Sequence, residues 1–189
     1  MNPEPNSFAV AGSLLSASAR QVSTSYELAH LMRDRLHALS AVHRMAVLDP
    51  DGATTEGVNF KDLLITIIAP FKGATETHLD IENILIAPSA ITPIVLIFYE
   101  FCTNALKYGA FGAEDGKVFL RAERQDDRVL VHWQEQCRLD PVSGDLEGFG
   151  TRMCDNTVRG ALGGAISRRF TADGMSATLD LAASSLTGK

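Results

Sequence analysis

Ile94-Val95-Leu96-Ile97-Phe98-Tyr99-Glu100-Phe101-Cys102-Thr103-Asn104-Ala105-Leu106-Lys107-Tyr108 is the stretch on which the fold turns. At 3.6 residues per turn, Ile94, Phe98, Phe101, Cys102 and Ala105 fall on one face, which can lie on a sheet. Glu100, Asn104, Lys107 and Tyr108 fall together on another, at i, i+4, i+7 and i+8. A carboxylate, a carboxamide, an ammonium and a phenol thus share one side of an otherwise apolar helix. On an arbitrary amphipathic helix such a group is a solvated face; here its compactness calls for a chemical reason.

Magnesium nucleotide chemistry supplies one. Mg²⁺ takes oxygen ligands, one or two from protein and the rest from phosphates and water. Asn104 offers a neutral carbonyl that does not repel phosphate. Glu100 can hold a metal-bound water or act as a base, Lys107 can pair with phosphate oxygens, and Tyr108 can pack beside a nucleoside. Downstream, Glu147-Gly148-Phe149-Gly150-Thr151 precedes a helical pattern. Glycines let backbone N–H groups approach a phosphate, and a helix N-terminus attracts anions. The plain alternative for that segment is an ordinary turn and N-cap.

Around this centre the pattern is mixed. Before it, Lys61 to Ile68 reads as a short helix ending near Pro70, and His78 to Ile86 has strand-like stretches. The quoted stretch belongs to a helix predicted from Pro88 to Lys107. Lys117 to Arg124 and Arg128 to Glu135 alternate as strands around an Asp126-Asp127 turn. Residues 137 to 148 read as a loop and Thr151 to Gly160 as a helix ended by Gly163-Gly164. Ala165 to Thr171 and Met175 to Leu181 form a second hairpin around Asp173-Gly174. The expectation is an α+β domain over 57–183, a two-layer sandwich with helices on one face of a largely antiparallel sheet.

Two helical segments precede it. Phe8, Ala11, Leu15, Ala19 and Val22 form one stripe over residues 6 to 22, and Leu28, Met32, Leu36, Leu39 and His43 form another from Tyr26 to Val47. The short connection at Ser23-Thr24-Ser25 predicts an antiparallel hairpin over 6–48. Its exposed stripe is most simply covered by its copy, giving a four-helix bundle in a homodimer. Asp49-Pro50-Asp51-Gly52 marks a turn and 49 to 58 a linker.

Composition narrows the class. Hydrophobic residues make up 46% and charged ones 21%, enough apolar side chains for a packed core. A net charge of −6 with no long basic run argues against a nucleic-acid module. Apolar runs such as Ile91 to Phe98 are too short to span a bilayer, so no membrane partner is expected. The Met1-Asn2-Pro3-Glu4-Pro5 start lacks a secretory pattern. Cys102, Cys137 and Cys154 have neither disulfide-like nor metal-like spacing. The expected setting is reduced and cytoplasmic.

Together these segments resemble the HWE-type sensor histidine kinases and their close relatives in the GHKL ATPase group. Glu100-Phe101-Cys102-Thr103-Asn104-Ala105-Leu106-Lys107-Tyr108-Gly109-Ala110-Phe111 looks like that family's N-box. Trp133-Gln134-Glu135 looks like its Trp-x-Glu element. Gly148-Phe149-Gly150-Thr151, with Val158-Arg159-Gly160-Ala161-Leu162-Gly163-Gly164 behind it, looks like its second glycine box and trailing helix. Asn6-Ser7-Phe8-Ala9-Val10 and Arg35-Leu36-His37-Ala38-Leu39 through His43 are similar to its dimerisation and phosphotransfer helices.

The resemblance implies a two-component transferase that binds ATP and Mg and passes a phosphoryl group to an imidazole, then to a response-regulator receiver domain. It implies Asn104 as the Mg ligand with Glu100 assisting as the catalytic pair. Lys107, Gly148, Gly150 and Thr151 would contact phosphate, and Tyr108 would line the nucleoside site. Glu135 would accept the adenine amino group, and residues 137 to 150 would form a short lid. Trp133 is either a core aromatic or a ligand contact.

Three departures accompany the match. Asn2 stands where relatives carry the phosphoacceptor His, in a proline-containing context unsuited to a helix. Tyr99 replaces the N-box His beside Glu100. Gln136-Cys137-Arg138-Leu139 replaces the glycines after the Trp-x-Glu element, which would narrow the adenine pocket. His30, His37 and His43 read as packing or surface residues. The competing reading is a degenerate, non-catalytic signalling module that docks receiver domains through the face around Leu28 to Leu39. A Ser/Thr kinase of the anti-sigma type shares the ATP fold, but the 6–48 hairpin weighs against it.

Overall fold

The computed structural model describes residues 57–138 and 149–188. The expected hairpin over 6–48, Gly148 and most of the expected lid therefore lie outside the described residues. The chain enters through β1 (Val58–Asn59), which pairs antiparallel with β3 (Leu85–Ile86). Asn59 then caps α1 (Phe60–Ile68): its side chain accepts a hydrogen bond from the Lys61 N–H at 2.9 Å. Asp62 in the first turn complements the helix dipole. Phe60, Leu63, Leu64, Ile67 and Ile68 are buried. Pro70, two residues past the end, disfavours continuation.

The main sheet has five strands in the order β2-β4-β5-β7-β6. These are β2 (Glu76–Ile81), β4 (Lys117–Gln125), β5 (Arg128–Gln136), β6 (Ala165–Thr171) and β7 (Gly174–Ala182). The β2–β4 pair is parallel and the other three are antiparallel. The connection between the parallel pair carries the long helix, α2 (Pro88–Tyr108). Pro88 starts α2, where its missing N–H costs nothing. Lys107 sits in the last turn, and the Gly109 N–H closes the helix on the Ala105 carbonyl at 3.0 Å.

The period-2 pattern of β4 and β5 aims Val118, Leu120, Ala122, Val129, Val131, Trp133 and Glu135 inward. Against them lies the apolar face of α2: Ile94, Phe98, Phe101, Cys102 and Ala105 are all buried, as its spacing predicts. A buried aliphatic or aromatic side chain of this kind contributes about 1.5–3 kcal/mol relative to exposure. Among the described residues α2 has the length and apolar content to cross a bilayer, yet it is the core helix of this domain. The whole helix passes that test where the Ile91 to Phe98 run alone does not.

Boundaries differ from the sequence reading in three places. Helix α3 runs Phe149–Ala161, so Gly150 lies inside its first turn instead of before it. In the second hairpin Thr171 pairs with Gly174, which places Ala172-Asp173 at the turn. Gly174 takes φ 136°, and a Cβ there would overlap the Glu135 carbonyl oxygen. Finally, α4 (Ala183–Thr187) follows β7 directly and adds Ala183 and Leu186 to the core. Five residues with one apolar anchor carry too little periodicity to be read as a helix.

Candidate active site at the meeting of two helices

The polar face of α2 meets the first turn of α3. A Cβ built on Gly150 would overlap the carboxylate of Glu100, so glycine there lets that carboxylate lie against the first turn of α3. One turn along α2, the Asn104 Nδ2 donates to Glu100 Oε1 at 3.1 Å. That bond uses the amide nitrogen and leaves the Asn104 carbonyl oxygen as the outward acceptor. Glu100, Asn104, Gly150 and Thr151 are all half-buried. Four residues expected to act together are thus gathered around one junction.

Deeper in the same interface, Cys154 Sγ sits 4.0 Å from the Ile97 carbonyl. Below α3, the Arg168 Nη1 donates to Asp155 Oδ1 at 2.7 Å, and its guanidinium carbon lies 6.0 Å from the Phe101 ring centre. This tie between β6 and α3 carries no sequence motif and was not legible in advance.

Lys107 and Tyr108 continue the polar face toward the end of α2, and both are exposed; Tyr108 is 73% exposed. Tyr99, in the place of the N-box His, turns away and meets Phe71 edge-on at 5.0 Å. An aromatic partner on the neighbouring α1 side accounts for a phenol ring at that position.

Glu135 is the only buried charged residue among those described, at 4% exposure. Its Oε1 accepts from the Trp133 indole N–H at 2.9 Å, and its Oε2 accepts from the Ala110 N–H at 2.9 Å. A Cβ on Gly109 would overlap that second oxygen. Burial pushes the Glu135 carboxyl above the usual carboxylate range, while the Ala110 and Trp133 N–H groups pull it back. Burial also raises the Cys102 thiol, with the Glu135 charge adding to the effect. Trp133 is fully buried and packs edge-on against Phe101 and Phe111, at 5.6 and 6.1 Å. It is a core aromatic, which settles the alternative left open by the sequence. Gly109, Ala110 and Trp133 as partners of Glu135 were not foreseen. A side chain reaching a backbone N–H across 25 positions leaves no local pattern.

The donor set suits a magnesium triphosphate at one end. Asn104 and Glu100 offer hard oxygens, and the Gly150 gap lies at a helix N-terminus. Among the described residues no group of three or more His, Cys, Asp or Glu side chains could hold a metal by itself.

The comparisons with known proteins bear on this junction. The family model described as HWE histidine kinase matches residues 5–83. Blue-light-activated histidine kinase 1 of Erythrobacter litoralis is 31% identical over 182 residues, covering 93% of this chain and 49% of that protein. The chain is similar to the HWE-type histidine kinases over residues 5–83. The blue-light-activated histidine kinase of Brucella ovis is 25% identical over 176 residues, covering 90% of this chain and 35% of the relative. The chain therefore spans half or less of the length of these curated relatives.

Solved structures support the fold. The histidine kinase domain of Erythrobacter litoralis EL346 superposes with a TM-score of 0.64 at 19% identity, covering 94% of this chain and 83% of that one. The catalytic domain of histidine kinase ThkA gives 0.53 at 15% identity, covering 66% and 94%. The expected two-layer sandwich is thus a fold this chain shares with histidine kinase catalytic domains.

Proposed function

We propose that this chain is the kinase core of a two-component system and binds Mg-ATP at the junction of α2 and α3. The observation that carries the reading is the contact of Glu100 and Gly150 beside the Glu100–Asn104 hydrogen bond. Asn104 would hold Mg²⁺ through its carbonyl oxygen, with Glu100 on a metal-bound water. Lys107 would meet phosphate, and Tyr108 would lie beside the nucleoside. Gly148, Gly150 and Thr151 would present backbone N–H groups to the phosphates. Glu135 marks the base end.

Bound Mg-ATP would supply the phosphoryl group and neutralise its charge. The protein's part is positioning: orienting the phosphates, excluding water and holding the oxygens that surround the metal. Residues 6–48 would pair two copies, and a receiver domain of a response regulator would take the phosphoryl group. The family resemblance and the likeness to histidine kinases support this reading.

The test is titration calorimetry of the full chain with Mg-ATP. Binding is expected for the wild type and lost in Asn104→Ala; no heat at millimolar nucleotide would remove the proposal. A second reading, a docking module without catalysis, is favoured by one observation. Glu135 already holds two internal donors, and Cys137 and Arg138 follow it instead of glycines. Capture of receiver domains unaffected by Asn104→Ala would select that reading.

A further inference from the structure

We infer that Arg168 is a positioning residue for the junction of α2 and α3: its guanidinium sets the spacing at which Glu100 and Gly150 meet. The inference rests on the proposed Mg-ATP site and adds a residue that lies outside it.

Arg168 sits on the edge strand β6, in register with Ala177 of β7, which pairs in turn with Trp133 of β5. Side chains in one such row share a face of the sheet. Trp133 and Ala177 are buried on the inward face, so Arg168 points under the helices, with its side chain 15% exposed. Its Nη1 donates to Asp155 Oδ1 at 2.7 Å, and Asp155 stands one turn beyond Thr151 on α3. Its guanidinium carbon lies 6.0 Å from the ring centre of Phe101, the residue after Glu100 on α2. Phe101 also packs on Trp133 at 5.6 Å, so the ring reaches across the small Ala177 that separates the two in the row. One planar group thus touches α2 next to Glu100 and α3 one turn from Thr151.

Packing alone does not account for an arginine at this place. Among the described residues, Arg168 Nη2 is a buried side-chain nitrogen without a hydrogen-bond partner, and such a group lowers stability. An apolar side chain of similar length would avoid that loss, and Asp155, whose side chain is 38% exposed, would turn to water. The buried apolar residues of α3, Cys154, Val158 and Leu162, keep that helix on the core by themselves. Apolar contact is non-directional, however, and leaves a helix free to slide. A guanidinium fixes a donor direction and a ring contact at once, which neither an aliphatic chain nor a lysine can do. Arg168 therefore supplies the register of α3 against α2, and through it the contact of Gly150 with Glu100.

The experiment measures Mg-ATP affinity by titration calorimetry, and thermal melting, on the full chain and on Arg168→Met and Asp155→Ala. Arg168→Met is expected to weaken Mg-ATP by about threefold or more. Its melting temperature is expected to stay within about 4 °C of the wild type or to rise. Asp155→Ala is expected to weaken Mg-ATP as well. The sign of that effect separates two roles: if Arg168 acted as a charge on the phosphates, freeing it from Asp155 would tighten binding. In nucleotide-free ¹H–¹⁵N spectra, both variants are expected to move the side-chain amide signal of Asn104, which lies on the other helix and bonds to Glu100. The inference is overturned if Arg168→Met binds Mg-ATP within about threefold of the wild type. It is equally overturned if Asp155→Ala leaves affinity unchanged or raises it, or if the Asn104 signal stays in place. A melting temperature lowered by more than about 4 °C in Arg168→Met makes Arg168 a packing residue and overturns it too. If the wild type binds no Mg-ATP, the proposed function fails, while the Asn104 signal in Asp155→Ala still decides the role of Arg168.

Discussion

The carboxylate of Glu100 fills the space that a Cβ on Gly150 would need, where the helix bearing the N-box-like residues meets the helix that opens the glycine box. The group in the way is the end of a flexible side chain, and it can swing aside. Gly150→Ala is therefore expected to fold, because alanine favours a helix over glycine by about 1 kcal/mol. The displaced Glu100 would no longer hold Asn104, and Mg-ATP affinity should fall about tenfold, or roughly 1.4 kcal/mol. Thermal melting and calorimetry on the same variant check both halves.

Asn104 is half-buried, and its amide donates to Glu100. Asn104→Ala removes a carbonyl oxygen that no hydrocarbon can replace toward Mg²⁺. The expected outcome is loss of measurable Mg-ATP binding with a change in unfolding free energy of about 0.5 kcal/mol or less. A large drop in stability would mark Asn104 as a packing residue instead.

Phe98 is fully buried between Phe60 at 6.2 Å and Trp133 at 6.3 Å, joining α1, α2 and the sheet. Phe98→Ala is expected to cost about 3–5 kcal/mol from lost contacts and the cavity left behind. Urea unfolding followed by Trp133 fluorescence measures it directly.

Glu135 also sets a pH dependence. Its folded carboxyl titrates above the usual carboxylate range because burial penalises the charge. A group raised in the folded state binds more protons there than in the unfolded chain as pH rises through the ordinary carboxylate range. Its contribution to stability is therefore fully present below the unfolded value and is lost as pH rises through the folded one. The wild-type minus Glu135→Gln difference in unfolding free energy should decline across that interval and level off above it. A difference that grows with pH would show that the two hydrogen bonds outweigh burial.

Much of this was readable beforehand for a physical reason. Helical and strand periods are local properties, so the buried face of α2 and the inward residues of β4 and β5 could be named from spacing alone. The start of α3 was placed two residues late because no N-cap pattern sits there. Helix α4 was missed because its burial comes in large part from β3 and α2, far away in sequence.

The order of residues determined that Glu100, Asn104, Lys107 and Tyr108 share one side of a helix, since 3.6 residues per turn is a property of the backbone itself. It equally determined that Trp133 and Glu135 share one face of a strand. Only the tertiary structure decided what stands opposite each: Gly150 against Glu100, and Ala110 against Glu135. Those partners lie 50 and 25 positions away, and their meeting depends on how helices and sheet close over a common core, which no local pattern encodes.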